Sequence, residues 1–155
     1  MRFDPKAGLD AIDWKLLLLL RDNARSSFAE LGRKLRLSPP AVVERMKRLE
    51  DRGVVRGYRA DIDLGALGKK LNVYLRVVVE SKDYPRFKKA MEALDDEIFE
   101  CHHVTGAESF VLRAAVTAVP ELETLIQKLT AFGPTVTSVI LSTSIDRRNF
   151  LPSQE

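Results

Sequence analysis

The sequence predicts an α+β chain in two parts: three short helices over residues 1–60 and, after a linker at 61–70, a βαββαβ unit over 71–155. Three observations predict it. Apolar residues recur three or four apart in each of three segments up to Gly53, the spacing of one helix face. From Leu71 onward the period changes, and β-branched runs alternate with two amphipathic helical stretches. Between these regions Asp63-Leu64-Gly65-Ala66-Leu67-Gly68 has the composition of a connector.

With 155 residues and 45% apolar content, the chain can bury one ordinary core or two small ones. The leucine run at 16–20 is too short to span a bilayer and is flanked by Asp10, Asp13, Lys15, Arg21 and Asp22. Met1-Arg2-Phe3-Asp4-Pro5-Lys6 lacks the apolar core of a secretion signal, so a cytoplasmic location with no membrane partner is expected. Cys101 is the sole cysteine, which excludes an intramolecular disulfide. The net charge of +3 is polarised: residues 1–60 carry 14 Lys and Arg against 8 Asp and Glu, whereas 61–155 carry 11 against 14. A basic N-terminal third is the electrostatic footprint of a polyanion-binding module, although a solvated lysine-rich face has the same composition.

In the first segment, residues 9–23, Asp10 is placed to cap a helix that carries Ile12, Leu16, Leu19 and Leu20. Ser27-Phe28-Ala29-Glu30 is a capping-box pattern, and Phe28, Leu31 and Leu35 carry the second helix to about Leu35. Only Arg36 and Leu37 separate it from Ser38, which leaves room for a tight turn. Ser38 caps the third helix, Pro39 occupies the first helical position, where a missing N–H costs nothing, and Gly53 supplies a left-handed stop. Residues 54–61 read as a strand. The second unit then reads as a strand over 71–80, a helix over 84–94, strands over 98–104 and 109–119, a helix from Pro120 to about Ala131, a break at Gly133-Pro134 and a last strand over 136–144. That order predicts a split βαβ arrangement, a four-stranded antiparallel sheet with both helices on one face. The opposite face, expected to carry some of Val73, Leu75, Val77, Val139 and Leu141, would be bare in a monomer, which predicts a dimer.

On the third helix Val42, Met46 and Leu49 form an inward stripe, which turns Pro40, Val43, Glu44, Lys47 and Arg48 outward. Arg33, Lys34 and Arg36 precede this helix, and Arg52, Arg56 and Arg59 follow it, where phosphates would run beside a probe in a groove. Glu44 can read cytosine or pair with Arg48 four residues on. Arg45, near the buried stripe, can reach a phosphate or form an internal salt bridge. Gly32, costly inside a helix, is explained if the third helix crosses it at close range.

The motifs Leu9-Asp10-x-x-Asp13, Ala24-Arg25-x-Ser27-x-x-Glu30-Leu31, Leu37-Ser38-Pro39-Pro40-Ala41-Val42, Arg45-Met46-Lys47-Arg48-Leu49-Glu50 and Gly53-Val54-Val55-Arg56-Gly57-Tyr58 closely resemble the successive signatures of the Lrp/AsnC family of feast/famine regulators. The resemblance runs nearly the full length. It implies a winged helix-turn-helix joined to a ferredoxin-like effector and dimerisation domain. It also implies a non-enzymatic, sequence-specific regulator that binds a pseudo-palindromic operator as a dimer or higher oligomer, often an octamer. Its expected partners are double-stranded DNA, further copies of the chain and an amino-acid effector, with no cofactor. On this reading Ser38, Pro39, Pro40, Val43, Glu44, Arg45, Lys47 and Arg48 meet DNA, and Arg33, Lys34, Arg36, Arg52 and Arg56 are phosphate candidates.

Val104-Thr105-Gly106-Ala107-Glu108-Ser109-Phe110-Val111-Leu112 looks like the family's strand-turn-strand segment at which effectors bind between subunits, which marks residues Val104, Thr105, Gly106, Ala107, Glu108 and Ser109. Backbone N–H groups of a glycine turn can hold a carboxylate, although Gly106 would serve equally in a plain hairpin. The family pattern usually has Asp where this chain has Ser109. A hydroxyl offers no countercharge to an α-ammonium, so Glu108 substitutes, the effector differs, or sensing is weak. Cys101-His102-His103 puts at most two ligands on one face of a strand, short of a tetrahedral metal site, and has no third group for nucleophilic catalysis. The rival reading from another class is a metabolite-binding oligomer whose helical unit makes only protein contacts.

Overall fold

The computed structural model describes residues 8–145, which divide into two compact units with the boundary in sequence between Ala60 and Asp61. The outer ends of both expected domains, 1–7 and 146–155, lie outside the described residues.

In the first unit, α1 (Ala11–Asp22) begins at Asp10, whose carboxylate accepts from the N–H groups of Ile12 and Asp13 at 2.8 Å while the Asp13 carboxylate accepts from Asp10 N–H at 3.2 Å. Ser27 and Glu30 close the same reciprocal box on α2 (Phe28–Leu35). Arg36 ends α2 in the left-handed region, with φ 57°, and is the one non-glycine with positive φ among the described residues. Its N–H and that of Leu37 both return to the Gly32 carbonyl, which closes the turn in two residues. Ser38 Oγ then caps α3 (Pro39–Asp51) through Ala41 N–H. Leu16, Leu31, Val42, Met46 and Leu49 are buried together, each contributing roughly 1.5–3 kcal/mol by leaving water.

The strand expected over 54–61 is absent. The N–H groups of Val54 and Val55 both donate to the Leu49 carbonyl, and Tyr58 Oη donates to Glu50 Oε1 at 2.9 Å. The segment therefore curls back along the end of α3, and no strand of the described residues lies beside it to form a ladder.

The second unit has the expected order: β1 (Leu71–Val77), a single 3-10 turn at Ser81–Asp83, α4 (Tyr84–Glu92), β2 (Ile98–His103), β3 (Phe110–Val116), α5 (Val119–Thr130) and β4 (Thr135–Val139). The sheet is antiparallel throughout, in the order β2-β3-β1-β4. Val73, Leu75 and Val77 stand opposite Ala114, Leu112 and Phe110, and all are buried with Phe87 and Met91 of α4 and Leu122, Leu125 and Leu129 of α5. This corrects the face expected to be bare. Val73, Leu75 and Val77 line the helix-covered side, and the partly exposed Val139 shares their side because it pairs with Val73. Leu141 lies beyond β4 and is exposed. The open side carries Tyr74, Arg76, Val111, Arg113, Val136 and Ser138, a mixture of aromatic, charged and aliphatic groups.

Two glycines answer to backbone rather than to turns in open space. A Cβ on Gly133 would overlap the Val78 carbonyl, beside the bond from Val78 N–H to Pro134 O that ties the entry of β4 to the end of β1. A Cβ on Gly32 would sit 2.7 Å from the Leu37 carbonyl oxygen, so the close neighbour is the turn itself and not the body of α3. Gly32→Ala is therefore expected to lower stability by about 1–3 kcal/mol despite alanine's better helix propensity, because a backbone carbonyl cannot yield as a side-chain tip would. Urea unfolding followed by circular dichroism checks this, and an unchanged or raised midpoint would refute the assignment.

Candidate nucleic-acid interface

The apolar stripe of α3 decides what the helix shows to solvent. With Val42, Met46 and Leu49 buried, Pro39, Pro40, Val43, Glu44, Lys47 and Arg48 are exposed, and Ser38 lies at the exposed N-terminal end. Arg33, Lys34, Arg36 and Arg56 are exposed on the flanking segments, whereas Arg52 Nη1 donates to the Gly8 carbonyl at 3.3 Å.

Two arginines of this helix are occupied within the unit. Arg45 Nη1 lies 2.6 Å from both Asp10 Oδ2 and Asp13 Oδ1, so the internal salt bridge is the one of its two anticipated roles that is formed. Arg48, expected to point outward like Lys47, is half exposed but directs Nη2 to both oxygens of Asp13 at 2.9–3.0 Å. It is thereby drawn toward α1 and away from Glu44, with which it forms no ion pair among the described residues. Asp13 itself has no exposed surface. In the sequence Asp13 stands out only as the second acid of Leu9-Asp10-x-x-Asp13. Its spacing from Leu16 and Leu17, three and four residues on, is the legible sign that a charge stands on the buried face of α1.

These contacts set the electrostatics. The hydrogen bond from Arg45, and then that from Asp13 N–H, holds the Asp10 carboxyl below its ordinary value of 3.8, and the same carboxylates push the Arg45 guanidinium up. Tyr58 is raised to about 12, first by burial and then by its bond to Glu50.

The loop between β2 and β3 holds the second candidate site. Thr105, Gly106 and Ala107 are exposed, and no atom comes within 4 Å of a Cβ built on Gly106, whose φ is 129°. Val104 N–H donates to the Ser109 carbonyl and Ser109 N–H to the Val77 carbonyl, so the loop is anchored at both ends. Glu108 stands 3.8 Å from Arg76 on the open side of the sheet. Ser109 is engaged differently from a ligand-binding group: its hydroxyl accepts from Val79 N–H at 3.1 Å and donates to Val79 O at 3.0 Å. A side chain thus supplies both bonds that a further backbone pair of the ladder would have made. No local pattern announces this, since it depends on the β1–β3 register. His103 stacks on Phe110 and Cys101 faces the helix side, and no group of three or more His, Cys, Asp or Glu among the described residues is placed to hold a metal ion.

Residues 9–50 match the family model of the AsnC-type helix-turn-helix domain, and residues 72–150 match that of the Lrp/AsnC ligand binding domain. The chain belongs to the Lrp/AsnC family. It is 36% identical to the HTH-type transcriptional regulator LrpC of Bacillus subtilis over 91% of this chain and 96% of that one. It is 37% identical to the leucine-responsive regulatory protein of Haemophilus influenzae over 93% and 90% of the two chains. The solved LrpC structure superposes with a TM-score of 0.83 over 89% of this chain and 97% of that one. A feast or famine regulatory protein of Mycobacterium tuberculosis, solved with L-methionine, does so with a TM-score of 0.82 at 33% identity, over 93% and 99%. This Lrp/AsnC chain is accordingly a helix-turn-helix transcriptional regulator with a ligand-binding domain, and not an enzyme. No helix among its described residues is long and apolar enough to cross a membrane.

Two outcomes are expected of this geometry. Because the folded Asp10 pKa lies below its unfolded value, the ionised carboxylate stabilises the N-terminal unit above about pH 4, and that contribution disappears as pH falls through the folded value. Asp10→Asn keeps a capping oxygen, so thermal melts between pH 2 and 6 should show a flatter acid limb than in the parent protein. Ser109→Ala should cost about 1–3 kcal/mol by leaving both Val79 groups unmatched, measurable by urea titration. A neutral substitution would remove the staple assigned to this hydroxyl.

Proposed function

We propose that this regulator binds a pseudo-palindromic operator as a homodimer or higher oligomer, each copy laying α3 in the major groove, with an amino acid as effector. Pro40, Val43, Glu44 and Lys47 would face base edges, and Ser38 and Pro39 would present the helix N-terminus to the backbone. Arg33, Lys34, Arg36, Arg52 and Arg56 would contact phosphates, and Arg45 and Arg48 would act through α1. The observation that carries this reading is the exposure of one contiguous α3 face opposite the three buried residues of its stripe. Arg36 adds to it. Beside the turn, a long cation occupies a left-handed position that glycine would take at no steric cost.

The open side of the sheet, with Tyr74, Phe99, Val111 and Val136 among charged neighbours, would meet a second copy. The effector would bind at residues 104–109, where the exposed Thr105-Gly106-Ala107 backbone suits a carboxylate and Glu108 is the acid available for an ammonium. The L-methionine bound by the Mycobacterium tuberculosis relative and the name of the Haemophilus influenzae relative support an amino acid. A regulator that works on DNA in this way would act in the cytoplasm.

Selection of duplexes from a random library by the full chain tests the assignment. A recurrent two-fold motif is expected, and Lys47→Ala should bind the recovered duplex at least tenfold more weakly with an unchanged oligomer by light scattering. Recovery of no motif, or altered assembly without change in DNA affinity, would favour a helical unit that serves protein contacts.

A further inference from the structure

We propose that Asp13 is the positioning residue of the recognition helix: from α1 it holds Arg45 and Arg48, fixes the rotational setting of α3 and withdraws both guanidinium groups from the phosphates. This rests on α3 being the DNA-reading helix.

A carboxylate without exposed surface is stable only when cations and donors surround it, and Asp13 receives Arg45 Nη1 on one oxygen, Arg48 Nη2 on both and Asp10 N–H on the second. The acceptor is also part of the capping box, so it sits in the first turn of α1 with little freedom to move. Arg45 and Arg48 are three positions apart on α3, and two directional contacts at that spacing oppose both rotation and sliding. The apolar contacts of Val42, Met46 and Leu49 fix which face of α3 is buried but, being non-directional, leave a smaller rotation or slide about that setting weakly opposed. One helical position is a rotation of about 100°, so even a fraction of it re-aims the side chains that face a groove.

The same arrangement makes a charge statement. Asp10 and Asp13 match Arg45 and Arg48 one for one, so these two arginines are neutralised before DNA arrives and release no phosphate counterions. Lys47 has no carboxylate within 4.0 Å among the described residues and keeps its full charge.

The test uses the full chain, the duplex selected by the parent protein, and poly(dI-dC) as the non-specific probe, titrated at several salt concentrations. Asp13→Asn should lose at least tenfold in the ratio of specific to non-specific affinity. Its salt dependence should steepen by about one to two in log–log slope, since each freed arginine can add about 0.9. Arg45→Met, which leaves the Asp13–Arg48 contact, should also lose selectivity but keep the parent slope. A purely structural Asp13 would lower the melting temperature and leave the ratio and slope of the folded protein unchanged, and that result overturns the proposal. So does an Arg45→Met slope shallower by about one, which would place Arg45 on a phosphate. Should Asp13→Asn fail to fold by circular dichroism, the Arg45→Met slope decides alone. If the parent protein selects no duplex, the DNA-reading assignment of α3 fails; if it does and the variants match it, only the positioning role fails.

Discussion

Removing a carboxylate from water costs several kcal/mol unless charges and donors replace the solvent, and the whole N-terminal unit is arranged around one such group. Asp13 sits on the inward face of α1 among Leu16 and Leu17, and the cations that compensate it come from α3. The consequence reaches the surface. Because Arg45 and Arg48 lean back toward α1, the face left to solvent is narrower and chemically more varied than a row of cations: proline, valine, glutamate and lysine. That set suits discrimination among base edges, and the flanking Arg33, Lys34, Arg36 and Arg56 suit attraction to phosphates. On the proposed reading, affinity and selectivity would thus be separated in space by where a buried charge finds its partners.

In the second unit the governing constraint is backbone satisfaction at the ends of the ladder. Beyond the last β1–β3 pair, the Ser109 hydroxyl bridges both backbone groups of Val79, and the crossing at Gly133-Pro134 lies so close to Val78 that no side chain fits. Both devices anchor the segments that flank the 104–109 loop and the open side of the sheet. A hydroxyl committed to the fold has no hydrogen to offer a ligand, so on the proposed reading recognition at this loop would fall to Glu108 and the backbone. On the open side, Arg113 lies over Tyr74 and Phe99 and beside Glu100, with its Nε buried and without a hydrogen-bond partner. That surface is more polar than alternation alone suggests, and its pairing with a second copy would depend on matched charges as well as area.

What can be read without coordinates follows the range of the forces involved. Capping boxes, the proline at the first turn of α3, the α3 stripe and the glycine stop are settled within a few residues, and these appear where the pattern puts them, whereas Phe28, expected on the inner face of α2, is exposed and α1 buries Leu17 beside Leu16. Errors arise where the deciding partner is distant. Val54 and Val55 have strand composition, yet with no adjacent strand among the described residues they close the end of α3. Val73, Leu75 and Val77 alternate correctly, but alternation does not say which side the helices cover, and they cover that one. Gly32 does mark a close approach, although to the turn carbonyl and not to the next helix.

By itself, then, the sequence determined the order of elements from Leu71 onward, the caps of the three N-terminal helices, the family and the identity of the buried stripe on α3, because each is written in spacing and local hydrogen bonding. Only the tertiary structure decided that Arg45 and Arg48 belong to Asp13, that Ser109 belongs to Val79, and which side of the sheet is left open. The first two depend on residues 30 to 35 positions apart being brought within hydrogen-bond reach and the third on where α4 and α5 pack, and tertiary packing alone does that.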